Sequence, residues 1–168
     1  GVKLFLKTRS SFDSKDFIPV FHHWIQNKII NDHLLIDVAD YSHILDGPGI
    51  MLIAHEGNFS IDLENGEVGL QYIRKQPLKN DVINNIHEIK SILNQACNLL
   101  IDNEMLGEKI SFNNQYRIIA NDRYYFSNNK KSQEKLLEYS QEAFENAELK
   151  VNEIYSGSRL NIKINNEV

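Results

Sequence analysis

The chain has 168 residues, of which 42% are hydrophobic and 24% charged, and its formal net charge is −5 at pH 7. This length and composition are typical of one globular domain with a hydrophobic core, so we expect a single domain over residues 1–168. The negative charge argues against a general nucleic-acid binder, because phosphate recognition needs a clustered basic surface. No apolar run reaches the roughly 20 residues of a membrane span and no basic-then-apolar leader is found, so we expect a cytoplasmic protein.

Strand and helix patterns alternate in the first half of the chain. Residues 2–7 alternate as a strand, and a helix follows from near Asp16, with Phe17, Phe21 and Trp24 at helical spacing. Residues 33–44 and 49–64 each read as one strand rich in Ile, Leu and Val. Asn65-Gly66 predicts a type I′ hairpin, because both positions of that turn need positive φ. The hairpin register then places Ile61 opposite Leu70 and Phe59 opposite Tyr72.

The second half is predicted as two long helices and short strands. One helix is capped by Asn80 or Asp81, carries Ile86, Leu93 and Cys97 on its apolar stripe, and ends near Gly107. A hairpin or single strand follows in residues 110–126, then a helix over 132–157 and a last strand with Leu160, Ile162 and Ile164. The order β-α-β-β-β-α-β(β)-α-β with tight turns indicates an α+β domain with three helices and a mixed, mainly antiparallel sheet.

One segment, Asp40 to Gly57, concentrates residues that could carry chemistry. An unbroken strand over 49–63 puts His55 on the core face, and a register with Leu45 opposite Ile50 places Asp40 directly opposite His55. A carboxylate beside an imidazole is the arrangement of a general base, but such a pair also serves to satisfy two buried polar groups. A metal site would need further ligands from His43, His22 or His23. The single Cys97 excludes a multi-cysteine site and is expected to be a small buried hydrophobe.

The predicted sheet is partly apolar on its second face as well as on its core face. The residues predicted to share this second face are Phe5, Leu35, Ala39, Tyr41, Ile50, Leu52 and Ala54. A sheet that is apolar on both faces must be covered on both, by a helix or by a second subunit. From this face we expect a homo-oligomer or a protein partner.

These patterns support three hypotheses about function. The first is a non-catalytic ligand- or partner-binding protein that uses the second sheet face or the cleft beside Gly47-Pro48-Gly49. The alternative is a small enzyme with His55 as general base and Asp40 as its orienting carboxylate. His43, Arg74 and Arg117 are then candidate ligand-binding residues, the two arginines as anion anchors. The third is a metal-dependent protein that uses His43, His55 and an acid. The sequence identifies no cofactor and assigns no metal site.

Overall fold

The fold was analysed in a computed structural model, which describes residues 1–7, 11–77, 81–122, 124–127, 129–145, 147–151 and 159–165. Eight strands and three helices lie in these residues. In chain order they are β1 (Val2–Leu6), α1 (Phe17–Asn27), β2 (Leu35–Tyr41), β3 (Gly49–Ala54), β4 (Gly57–Asp62), β5 (Gly69–Arg74), α2 (Val82–Ile101), β6 (Phe112–Ile119), α3 (Lys130–Ala143), β7 (Glu148–Val151) and β8 (Asn161–Asn165).

The strands form one sheet in the spatial order β2-β3-β4-β5-β1-β6-β8-β7. Every pairing between described strands is antiparallel. The predicted α+β class and the predicted order of elements are therefore confirmed. None of the helices in the described part of the chain combines the length and the apolar character of a membrane span.

All three described helices pack on one face of the sheet. Strand side chains that point to this face, such as those of Leu4, Ile61 and Ile118, form one buried cluster with apolar residues of α1, α2 and α3. Phe5 and Ile119, which have the opposite alternation, are also buried but lie outside this cluster. The sheet therefore has a helix-covered face and a second face that no described helix covers, which we call the open face.

The hairpin predicted at Asn65-Gly66 is confirmed. Both residues have positive φ, and the Glu67 N–H donates a hydrogen bond of 3.1 Å to the Glu64 carbonyl across the turn. Phe59 pairs with Tyr72 and Ile61 with Leu70, as the sequence register predicts. Local turn chemistry therefore sets the pairing of β4 with β5.

The single strand predicted over residues 49–64 is two strands. The chain turns at His55-Glu56 and returns, so that Leu52 pairs with Phe59 and Ile50 with Ile61. A two-residue turn reverses which alternate residues face the core. Ile50, Leu52 and Ala54 therefore point to the helices and are fully buried, whereas Met51 and Ile53 point to the open face.

The predicted third helix is also divided. α3 ends at Ala143, and residues Glu148–Val151 form β7, an edge strand paired with β8. The last part of the predicted helix, residues 152–157, lies outside the described residues. α2 is capped by the Asp81 side chain and ends at Ile101 rather than near Gly107, and Cys97 on its inner face is buried as expected.

Candidate functional site

Asp40 and His55 do not face each other across β2 and β3. Asp40 lies opposite Ile50, near the end of β2. His55 lies in the turn between β3 and β4, where its backbone N–H donates to the carbonyl of Leu34, just before β2 begins (2.9 Å). The predicted register was wrong because the connection between the strands is longer than it assumed: it spans residues 42–48, so Ile50 pairs with Asp40 and not with Leu45. The geometric support for an Asp40–His55 general-base pair is therefore absent.

The contacts of Asp40 are those of a turn at the end of a strand. Its Oδ1 accepts hydrogen bonds from the Ser42 hydroxyl and the Ser42 backbone N–H (2.9 Å for the backbone bond). These two hydrogen bonds, the hydroxyl first, lower the pKa of Asp40. An aspartate that bonds a backbone N–H two residues ahead ends β2 as an Asx turn. His43 follows in this loop and is exposed.

His55 and Glu56 form the tip of the β3–β4 hairpin. A Glu56 carboxylate oxygen accepts a hydrogen bond from the Leu34 N–H (2.8 Å), and the Glu56 carbonyl accepts one from Lys75 N–H (2.8 Å). The Gln76 side-chain amide lies 3.4 Å from His55 Nε2. Within the described ranges, no group of three or more His, Cys, Asp or Glu residues could hold a metal ion.

The open face carries a row of directly paired side chains that crosses the whole sheet. From β2 to β7 the row is Ala39, Met51, Ser60, Gln71, Lys3, Arg117, Lys163 and Lys150. Its last four members are basic and occupy neighbouring strands. Like charges at directly paired positions repel each other, so this half of the row requires acidic partners.

The second face is therefore less apolar than the sequence predicts. Three of the predicted apolar residues, Ile50, Leu52 and Ala54, face the helices instead, because the turn at His55-Glu56 reverses the alternation of β3. Leu35 pairs with Ala54 and shares that side. The open face keeps an apolar margin, but its centre consists of charged and amide side chains.

An ion pair between Lys3 and Asp62 lies at the centre of the open face. Lys3 is fully buried and Asp62 is 6% exposed. Burial lowers the pKa of Lys3, and the Asp62 carboxylate offsets part of that effect. Gly69 lies beside this pair: a Cβ there would press on the Leu4 carbonyl oxygen and come 3.0 Å from Lys3 Cε. Glycine at this position therefore leaves room for the Lys3 side chain.

Arg117 is held by two acids from the turn between β4 and β5. Its guanidinium bonds Glu64 at 3.4 Å and also bonds Glu67, which in turn accepts a hydrogen bond from Lys163. The Phe5 ring lies close to these cations, with Lys3 Nζ 5.1 Å and Arg117 Cζ 5.1 Å from its centroid. These contacts neutralise the basic row with acids and an aromatic face, although its members are distant in sequence.

A cleft of about 540 Å³ opens over this face beside Pro48. Its volume is within the range of small-molecule sites. Its wall combines apolar, uncharged polar and charged side chains of both signs. The lining residues used below are Asp46, Pro48, Asn58, Ser60, Asp62, Glu64, Gln71, Arg117 and Arg159. Pro48 of the Gly-Pro-Gly turn thus lines one side of the cleft.

Several polar groups at this cleft have no partner in the described part of the chain. The Ser60 hydroxyl and the Gln71 amide make no side-chain hydrogen bond there, and no carboxylate lies within ion-pair distance of Arg159. The Nε of Arg117 is buried and likewise lacks a hydrogen-bond partner in those residues. Buried polar groups are nearly always bonded, so the unused Nε of Arg117 points to an occupant, and the groups of Ser60, Gln71 and Arg159 that line the cleft can bond to it.

Arg74, the other predicted anion anchor, lies on the opposite side of the sheet from Arg117. It follows Tyr72 on the helix-covered face and donates to Glu88 of α2 (3.1 Å). The Tyr72 hydroxyl lies 2.7 Å from His33 Nε2, and burial raises the pKa of Tyr72 to about 12. Arg74 and Arg117 therefore belong to different surfaces and do not serve one anion.

The central residues of the cleft were not identified from the sequence. Lys3 reads as a polar position in an alternating strand, and Asp62 reads as part of a wet hairpin face. They come together because β1 inserts beside β5, a long-range pairing that local patterns do not encode. Gly69 in the middle of the sheet, where glycine weakens a strand, is the local sign of close packing. Comparison with protein-family models, with curated proteins and with solved structures found no match.

Proposed function

We propose that this chain is a non-catalytic binding protein whose open-face cleft takes a small polar molecule of zero net charge. The observation that carries the proposal is the set of hydrogen-bonding groups at the cleft that the fold leaves unused, namely those of Ser60, Gln71 and Arg159. Orientation by a few convergent polar groups on a mixed wall is the usual design of small-molecule sites. Amide and hydroxyl groups both donate and accept, so they suit a ligand that does the same.

The charge balance of the cleft supports a ligand without net charge. Asp62 is paired with Lys3, and Arg117 is paired with Glu64 and Glu67. At the wall of the cleft, Asp46 and Arg159 add one charge of each sign. Strongly charged ligands would meet no excess of either sign, whereas a sugar or a neutral α-amino acid would meet donors, acceptors and both charges.

Thermal-shift and calorimetric titrations test this proposal with defined compound classes. We expect monosaccharides or neutral amino acids to raise the melting temperature, and aliphatic dicarboxylates at equal concentration to leave it unchanged. Gln71→Met keeps the side-chain length and removes the amide, so it should weaken binding by about tenfold. Gln115→Met is the matched control, because Gln115 has the same strand alternation as Arg117 on β6 but does not line the cleft.

Two results would count against a cleft ligand. One is a panel in which no neutral or zwitterionic compound stabilises the protein. The other is equal loss of binding in Gln71→Met and Gln115→Met.

Association with a second copy or a protein partner through the open face stays a prediction. Its polar, charged centre is less suited to a permanent dimer than an apolar one, and light scattering over a concentration series measures that association.

A further inference from the structure

A separate pocket of about 1040 Å³ lies on the helix side of the sheet. It opens between the first half of α2, the middle of α3, the end of β5, and the residues Asn121, Asp122, Tyr125 and Phe126. Its volume is at the upper end of the range for small-molecule sites. The open-face cleft shares none of its lining residues, so an occupant here is independent of the function proposed above.

The pocket has an excess of positive charge in a chain whose net charge is −5. Arg74, Lys75 and Lys135 line it, against one acid, Asp122. The Asp122 carboxylate is already used, since it accepts hydrogen bonds from the N–H groups of the next turn, such as that of Tyr124 (2.8 Å). In the described ranges neither lysine lies within ion-pair distance of a carboxylate. The lysines are therefore available to an anion.

Two further features add to this positive character. Arg74 donates to Glu88 through one terminal nitrogen, but its Nε is buried and has no partner in the described residues. Val82 and Asn85, in the first turns of the 20-residue helix α2, also line the pocket. The amino end of a helix carries partial positive charge, which the Asp81 cap of α2 offsets only in part.

The rest of the wall is aromatic. Tyr125, Phe126 and Tyr139 line the pocket, and the Phe126 and Tyr139 rings meet edge to face, with centroids 6.5 Å apart. Tyr125 is 76% exposed, which leaves most of its ring free for a ligand. Aromatic side chains offer planar faces on which a flat ring stacks, and such contacts add to binding beyond the area they bury.

We propose that this pocket binds a small anion that carries a planar aromatic ring and has about the size of a nucleoside monophosphate. Its ring contacts the tyrosines, and its anionic group is held by Lys75 and Lys135. An inorganic anion would leave the aromatic wall and most of the volume unused. A long polyanion would meet the negative charge of the rest of the chain, so the proposal is restricted to a small molecule.

Calorimetric titration of the full chain with AMP, adenosine and inorganic phosphate separates the two parts of the ligand. We expect AMP to bind more tightly than adenosine or phosphate alone, with an affinity that falls as salt is added, because salt screens exposed charges. The double variant Lys75→Ala/Lys135→Ala should lower the affinity for AMP by about tenfold and change the affinity for adenosine by less than about twofold. Tyr125→Ala should weaken the binding of both AMP and adenosine.

Matched controls remove the same side chains outside the pocket. Lys131→Ala removes an exposed lysine of α3, and Tyr41→Ala removes an exposed tyrosine at the end of β2. Both controls, and Gln71→Met in the open-face cleft, should bind AMP as the unaltered chain does. The proposal is overturned if neither AMP nor phenyl phosphate binds at millimolar concentration. Equal loss in Lys131→Ala and in the double lysine variant would overturn it as well.

Discussion

Lys3 is a charged side chain that the fold removes completely from water. Its ammonium group donates to the carboxylate of Asp62, which is itself nearly buried. Desolvation of two charges costs free energy that their attraction only partly returns, so such a pair adds little to stability by itself. Removal of one partner is different, because the remaining charge stays buried without compensation.

This difference gives a prediction for stability. Asp62→Asn should lower the free energy of unfolding by about 3 kcal/mol, because Lys3 loses its counter-charge beside Arg117. The double variant Lys3→Met/Asp62→Leu should be more stable than Asp62→Asn, since it buries no unpaired charge. Urea unfolding followed by circular dichroism measures both values. If the double variant were less stable than Asp62→Asn, the Lys3–Asp62 pair would add net stability beyond offsetting the cost of burying its two charges.

At the scale of elements, the β4–β5 turn is bonded to β6 and β8, two strands that do not neighbour β4 or β5 in the sheet. Glu67 in this turn bonds Arg117 of β6 and Lys163 of β8. Burial alone would raise the pKa of Glu67, but the Lys163 hydrogen bond and the Arg117 and Lys163 charges outweigh it and lower the pKa below its usual 4.5. A carboxylate whose pKa is lower in the folded chain stabilises the fold when it is ionised.

The pH dependence of stability follows from this shift. The contribution of Glu67 is present above its unfolded pKa of 4.5 and is lost as the pH falls through the lower pKa of the folded state. Glu67→Gln should therefore be less stable than the unaltered chain near neutral pH, and the difference should shrink as the pH falls below 4.5. Urea midpoints across this range measure it. A difference that is constant with pH would assign the effect to packing instead.

Turns differ in how far the sequence predicts them. The Asn65-Gly66 turn was predicted with its register because both residues accept the positive φ that the turn requires. The His55-Glu56 turn was missed because neither residue favours a turn. It is held by distant backbone groups, the Leu34 carbonyl and the Lys75 N–H. The division between α3 and β7 was missed because an apolar residue every three or four positions continues past Ala143 into a short edge strand.

The same distinction explains what was predicted of the site. A binding cleft beside the Gly-Pro-Gly turn and a binding role for Arg117 stay predictions, whereas the acids that bond Arg117 were not identified from the sequence. Lys3 and Asp62 are 59 residues apart in the chain, and their contact depends on the insertion of β1 between β5 and β6. Topology of this kind is decided by the whole core and leaves no local pattern.

At the scale of the whole molecule, one helix-covered core holds the fold together. Cys97 lies in this core, on the inner face of α2, and burial raises the pKa of its thiol well above the usual value. Only the ionised thiolate reacts rapidly with disulfide reagents, and burial also blocks their approach. The thiol should therefore become reactive when the core opens.

Labelling with a disulfide reagent tests this prediction. Cys97 should react in native buffer at the rate of global unfolding, and the rate should rise with denaturant as unfolding does. The control is Ser91→Cys in a Cys97→Ala background, because Ser91 is an exposed position of the same helix. That variant should react at once. Equal rates at the two positions in native buffer would mean that α2 separates from the sheet without global unfolding.

The hairpin at His55-Glu56 has a consequence for how this sequence can change. Because the turn reverses the alternation of faces, its length decides whether Ile50 and Leu52 meet the core or the open face. Substitutions at either turn residue leave that relation intact. Gain or loss of a single codon between Ala54 and Gly57 would force β2 and β3 either to give up their pairing or to turn their apolar side to water. Related chains should therefore vary in the identity of these two residues more freely than in their number.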